Sequence, residues 1–185
     1  MNLPNKLTVF RVILIPVFMI LYLVPSDTVI ATGSFEITLN CLLAAIVFVI
    51  ASATDFLDGH IARKNNIVTN FGKFMDPLAD KLLVTAAICC MLEKGICASW
   101  VVVIILAREF IVTGMRLIAA SEGIVIAAGK LGKIKTVIQL ITIIVALIFG
   151  KNIVVDILFY VSAFITALSG AVYIVNNKNL FKMGE

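Results

Sequence analysis

Six apolar runs, at about residues 7–25, 37–57, 76–92, 97–119, 134–150 and 153–175, take up most of the chain. Each is about long enough to cross a bilayer once, the third being the shortest. Stretches such as Val101 to Leu106 are continuously apolar and lack the period-two alternation of a membrane barrel. Helices are then the remaining way to satisfy backbone N–H and C=O groups in lipid. The expected fold is an all-α, polytopic membrane protein with six transmembrane helices. In 185 residues that are 62% hydrophobic and only 14% charged, with a mean hydropathy of +1.13, six spans leave no separate soluble domain. Residues 1–185 are therefore read as a single integral-membrane domain. Breakers fall between the runs at Pro25-Ser26-Asp27, Gly33-Ser34, Gly95, Gly123 and Gly150-Lys151-Asn152. Leu7 to Val24 is long for a secretory signal core and lacks a small-x-small cleavage site, so it is read as a first span.

The formal charge of +4 gives little support to a nucleic-acid partner, and the placement of the basic residues matters more than their sum. Alternating the connections between two sides puts Lys6, Arg11, Arg63, Lys64, Lys73, Lys81, Arg116, Lys130, Lys133, Lys135, Lys178 and Lys182 at or near one side, with Lys94 and Lys151 on the other. By the positive-inside rule both termini, the 58–75 loop and the 120–133 loop are cytoplasmic. Any chemistry carried there faces the cytoplasm of a cell membrane. Cys41, Cys89, Cys90 and Cys97 sit in or beside apolar runs without C-x-x-C spacing, which argues against disulfides and a zinc site; they read as buried small hydrophobes.

Four of the eleven acidic residues are concentrated between positions 55 and 80. Asp55 and Asp58 are three apart and Asp76 and Asp80 four apart, so on helices each pair shares a face, one turn apart. A short polar loop allows the two faces to meet at the cytoplasmic ends of the second and third spans. Four converging carboxylates repel one another and are costly to desolvate, so a cation belongs between them. All-oxygen ligation suits Mg²⁺ or Mn²⁺, and two such ions balance four aspartates. A two-metal site serves displacement at phosphorus. Gly59 and Gly72 leave room for phosphate or nucleotide beside the backbone, Ala62 continues the small surface, and Arg63 offers a phosphate-matching guanidinium. Other readings stand beside this one. The aspartates also suit ion pairing, helix capping or a divalent-cation permeation site, though permeation sites tend to lie near the bilayer midplane. Arg63, Lys64 and Lys73 also suit a simple orientation signal. His60, the only histidine, leaves no catalytic dyad.

The arrangement D-x-x-D-G-x-x-A-R, eight intervening residues, then G-x-x-x-D-x-x-x-D resembles the signature of the CDP-alcohol phosphatidyltransferases. Asp55, Asp58, Gly59, Ala62, Arg63, Gly72, Asp76 and Asp80 match it at every defined position. The resemblance implies that Asp55, Asp58 and Asp76 hold two divalent cations, while Asp80 contacts one of them and serves as general base on an acceptor hydroxyl. Asp58, Gly59, Ala62, Arg63 and Gly72 would bind CDP-diacylglycerol. Asn5, Thr8 and Arg11 either anchor the first helix at the interface or join those nucleotide and phosphate contacts. The resemblance also implies a homodimer.

Within the family, Pro4 to Arg11, Asp76-Pro77-Leu78-Ala79-Asp80-Lys81 and Ala107-Arg108-Glu109-Phe110 through Arg116 resemble the bacterial phosphatidylglycerophosphate synthases. That likeness implies transfer of a phosphatidyl group from CDP-diacylglycerol to sn-glycerol 3-phosphate, with release of CMP. Serine, an inositol compound and phosphatidylglycerol are the alternative acceptors within the family. A second phosphate calls for a cationic pocket, for which Arg108, Arg116, Lys133 and Lys135 are the candidates. Arg108 lies well inside an apolar run, where an unpaired cation is expensive, and Glu109 is its candidate partner.

Overall fold

The computed structural model describes residues 3–26, 28–31, 37–65, 70–124, 126 and 129–178, with side chains described except at 3–5, 31, 55–65, 70–77 and 80. It is mostly helical. Its six described helices are α1 (Leu3–Leu23), α2 (Leu39–Asn65), α3 (Asn70–Glu93), α4 (Ser99–Ser121), α5 (Lys130–Phe149) and α6 (Ile153–Asn176). They follow the six apolar runs closely. Two differences from the sequence expectation stand out. The stretch expected as a 58–75 loop is helical as far as Asn65 and again from Asn70, because neither Gly59 nor Gly72 is enough to stop a helix whose neighbours favour it. Between α1 and α2 the strands β1 (Val29–Ala31) and β2 (Ile37–Thr38) pair antiparallel, where only a loop was expected. Val29, Ile30, Ile37 and Thr38 are β-branched, which suits a short extended pair.

Among the described residues, α1, α5 and α6 are long and apolar enough to cross a membrane on composition alone. The other three helices carry charge within their length, as α4 does at Arg108, Glu109 and Arg116. These helices pack against the apolar ones. The outer surface agrees with a lipid environment: Phe110, Leu117, Ile153 and Phe164 are each at least 70% exposed, a patch density that water-soluble surfaces avoid.

One core joins all six helices. On α1 the buried residues Thr8, Arg11, Ile15, Phe18 and Tyr22 repeat at three and four, a single stripe facing α2 and α3. Phe18 lies between Tyr22 and Phe48, with both ring centroids 5.9 Å away. The small residues Ala44, Ala45 and Ala51 on α2 and Ala86 and Ala87 on α3 are buried and allow close helix approach. The second half of the bundle is built by α6 packing against α4 and α5, and α5 also touches α2 and α3.

Glycine ends two of the helices in the same way. Gly95 (φ 66°) and Gly123 (φ 72°) follow α3 and α4 in the left-handed region. Ile96 N–H returns to Met91 O at 2.8 Å and Ile124 N–H to Ala119 O at 2.8 Å, closing a six-to-one bond around each. The α6 start is capped by Asn152, whose Oδ1 accepts from Val155 N–H at 3.0 Å. The cysteines are free, as expected; Cys90 and Cys97 are buried and Cys41 half-buried, but Cys89 is exposed, since its position on α3 turns it away from the core. Trp100 and Tyr160 stack with centroids 5.4 Å apart on the outside, at the opposite end of the bundle from α5's first turn.

Candidate active site

Helical backbone carries Asp55 and Asp58 in the last three turns of α2, and Asp76 and Asp80 in the first three turns of α3. The side chains of these four residues, and the surroundings of Gly59, Ala62, Arg63 and Gly72, lie outside the described residues. The donor set is all carboxylate oxygen, which fits a hard divalent cation. Among the described residues no three His, Cys, Asp or Glu side chains converge on a common point.

Residues beside the motif are described. Arg11 is wholly buried, and its Nε donates to Ala51 O at 3.2 Å, one turn before Asp55. Thr54 Oγ1 donates to the same carbonyl at 2.7 Å. Thr8, one turn earlier on α1, is also fully buried. The candidate lipid-nucleotide residue Thr8 is thus on the α1 face that packs against α2.

The four candidate acceptor residues come together. Arg108, Arg116, Lys133 and Lys135 all line one cavity of about 620 Å³, with Lys81 and Lys130 completing the cationic wall. Glu109 is the one carboxylate among the described lining residues. Each helix contributes a stripe at helical spacing. The α4 stripe runs from Ile105 through Arg108, Glu109, Val112 and Thr113 to Arg116, while α5 offers Gly132, Lys135, Thr136 and Gln139. The cavity is bordered by Gly129 and Lys130 at the start of α5 and Asn176 and Asn177 at the end of α6. Among the described residues its α3 wall begins at Lys81, the residue after Asp80, so backbone continuity ties the basic cavity to the aspartate motif.

The cations fall into two groups. Lys135 is 5% exposed and Arg108 half-buried, and both converge on Glu109. Glu109 Oε1 accepts from Arg108 Nη1 at 3.1 Å and also pairs with Lys135 Nζ. Arg108 Nε donates to Ser169 Oγ at 3.1 Å. Arg116, Lys130 and Lys133 are exposed at the rim, where Arg116 Nε donates to Tyr173 Oη at 3.3 Å. An unpaired Arg within a span costs about 3 kcal/mol; the Glu109 and Ser169 contacts offset that cost while leaving Arg108 at the cavity wall. Lys81 Nζ donates to Thr113 Oγ1, linking α3 to α4.

Several of these residues escape a reading of the sequence. Ser169 and Gly170 belong to a run of small and polar residues on α6, Ser162, Thr166, Ser169 and Gly170, whose spacing marks one helix face. Glycine makes room there: a Cβ at Gly170 would stand 3.0 Å from Arg108 Cγ, so Arg108 would have to give way slightly. Gln139, the only glutamine in the chain, lines the cavity from an otherwise apolar stretch.

The site thus pairs a carboxylate motif on α2 and α3 with a deep cationic cavity between α3, α4, α5 and α6. A model of the CDP-alcohol phosphatidyltransferase family matches residues 1–172. The chain is 45% identical to the CDP-diacylglycerol–glycerol-3-phosphate 3-phosphatidyltransferase of Bacillus subtilis (strain 168), across 98% of this chain and 97% of that one. It is 37% identical to the protein of the same name from Rickettsia typhi, across 97% and 99%, and 36% identical to that from Escherichia coli (strain K12), across 94% and 93%. Motif, helical layout and near full-length similarity agree, and the chain belongs to the CDP-alcohol phosphatidyltransferase family.

Proposed function

We propose that this protein transfers the phosphatidyl group of CDP-diacylglycerol to sn-glycerol 3-phosphate, giving phosphatidylglycerophosphate and CMP. The observation that carries the choice of acceptor is the cationic cavity beside the aspartate motif. An acceptor with its own phosphate needs such a cavity, whereas a neutral alcohol does not. The names borne by the relatives support the same reaction.

The acceptor hydroxyl oxygen bonds to the lipid-side phosphorus, the bond from that phosphorus to the bridging oxygen breaks, and CMP leaves with the electron pair. Asp80 takes the hydroxyl proton. Asp55, Asp58, Asp76 and Asp80 hold two Mg²⁺ or Mn²⁺ ions, which supply charge neutralisation at the diphosphate when bound. Thr8, Asp58, Gly59, Ala62, Arg63 and Gly72 bind CDP-diacylglycerol. Arg108 and Lys135 grip the acceptor phosphate, and Arg116 and Lys133 draw it in from the rim. All six helices span the cytoplasmic membrane of a bacterium as one domain, with both termini and the site on the cytoplasmic side. The working form is a homodimer. The diacyl chains stay in lipid while the water-soluble acceptor enters from the basic side.

The test is release of CMP and formation of labelled lipid by purified protein in detergent with CDP-diacylglycerol, Mg²⁺ or Mn²⁺ and labelled glycerol 3-phosphate. Equal yields of CMP and lipid that vanish with a chelator and fall at least about 100-fold in Asp80→Asn are expected. CMP release supported only by another acceptor, or by none, would overturn the proposal.

A further inference from the structure

Among the described residues, the cavity wall contains one buried side chain with a polar atom that finds no partner. Gln139 is 3% exposed, and its Nε2 has no hydrogen-bond partner among the described residues. It lies one helical turn beyond Lys135 on the same buried face of α5 and lines the same cavity. A buried amide donor without an acceptor is costly and calls for an explanation. Ser162 Oγ and Thr166 Oγ1 on α6 are also buried without partners, but neither lines the cavity. Gln139 alone of the three residues is on the wall of a space that a ligand can enter, with Nε2 itself covered in the structure.

What enters must bring the acceptor atom. The charged residues described on the wall are mostly cations, which are themselves donors and serve a phosphate better than a neutral amide does. A neutral donor suits a neutral oxygen. On the reading above, the ligand carries two hydroxyls: one attacks phosphorus beside Asp80, and the other lies between the carbon bearing that hydroxyl and the phosphate. Since α5 packs against α2 and α3 as well as bordering the cavity, Gln139 is on the element between the aspartate helices and the phosphate cations.

We propose that Gln139 is a specificity residue for the acceptor, its Nε2–H donating to the non-attacking hydroxyl of glycerol 3-phosphate. This inference rests on the reaction proposed above. The contact places a hydrogen-bond donor where an acceptor lacking that hydroxyl leaves it unpaired, so the cavity selects a glycerol backbone over a plain propyl one.

The test compares glycerol 3-phosphate with 3-hydroxypropyl phosphate, which keeps the phosphate and a primary hydroxyl and lacks the middle one. With CDP-diacylglycerol and Mg²⁺, the wild-type protein is expected to prefer glycerol 3-phosphate by roughly 10- to 100-fold in kcat/KM. Gln139→Leu and Gln139→Met are expected to lose that preference, through a lower kcat/KM for glycerol 3-phosphate and little change for 3-hydroxypropyl phosphate. The KM for CDP-diacylglycerol stays at its wild-type value. A wild-type preference below about 2-fold overturns the assignment whether or not the variants fold. So does a preference retained in both variants, or an equal loss on both acceptors, which marks a purely structural amide. If wild-type protein makes no lipid from glycerol 3-phosphate, the reaction itself is wrong and the Gln139 assignment falls with it; in the other cases only the assignment falls.

Discussion

Gly170 of α6 lies directly against Arg108 of α4, so close that a Cβ would stand 3.0 Å from Arg108 Cγ and 3.8 Å from its Cβ. Arg108 has little freedom to yield, since Nε is held by Ser169 and Nη1 by Glu109. Gly170→Ala should destabilise by about 1 kcal/mol and Gly170→Val by about 3 kcal/mol, as overpacking does elsewhere. The displaced guanidinium should raise the KM for glycerol 3-phosphate several-fold and leave that for CDP-diacylglycerol alone. Thermal melting in detergent and two-substrate kinetics check both parts; an unchanged acceptor KM would mean that Arg108 shifts without functional effect.

Glu109 is the shared counterion of Arg108 and Lys135. Replacing it by Gln leaves two facing cations within a largely buried site, which should cost about 3 kcal/mol of stability. Because an acceptor phosphate supplies negative charge to the same pair, saturating glycerol 3-phosphate should raise the melting temperature of Glu109→Gln more than that of the wild type. Equal shifts would show that the phosphate binds elsewhere.

Depth separates the cations of the cavity. Lys133 is exposed at the rim and Arg108 is held deep between α4 and α6. Lys133→Ala should change the acceptor KM by no more than about 3-fold, an effect that fades at high salt. Arg108→Ala removes a charge-assisted contact and should cost about 100-fold in kcat/KM for the acceptor at any ionic strength. Steady-state rates at low and high NaCl distinguish the two behaviours.

Cys97, in the turn between α3 and α4, is buried, and burial pushes its thiol up to about 11. It also donates to Ile88 O at 3.6 Å. The thiol therefore stays neutral across pH 7 to 9, and in folded protein Cys97 should resist maleimide until detergent denaturation exposes it. The stabilisation linked to this raised pKa is present below the ordinary thiol pKa and is lost as pH rises towards 11, because only the unfolded chain ionises readily in that window. Mass spectrometry of maleimide adducts at pH 7.5, before and after denaturation, provides the check.

Helix number and position were legible in the apolar runs because lipid and core make the same demand on a span. Helix length was not. The continuation of α2 to Asn65 crosses Asp58 to Lys64, where apolar patterning ends but helical propensity does not. The β1–β2 pair was hidden because its few residues sit within a break between apolar runs. For the site, Arg108 declared itself through its cost within an apolar run, and Glu109 beside it was the natural partner. The meeting of Glu109 with Lys135, and of Arg108 with Ser169 and Gly170, depends on how α4, α5 and α6 pack, which no local spacing encodes. The aspartate motif was fully legible as a pattern, while the directions of its side chains fall outside the described residues.

The charge inside α4 also bears on how the protein is made. As synthesis proceeds from the N-terminus, α4 emerges with Arg108 and only its neighbour Glu109 to offset it. Lys135 follows 26 residues after Glu109, and Ser169 61 residues after Arg108. A helix so charged pays a few kcal/mol to enter lipid by itself, on the order of 3 for the arginine alone. The strongly apolar α5 and α6 bring both the missing contacts and the driving force. On the six-span arrangement proposed above, stable lodging of α4 in the bilayer is a cooperative event completed by the last third of the chain, and a ribosome stalled before α5 would leave α4 loosely held at the membrane surface.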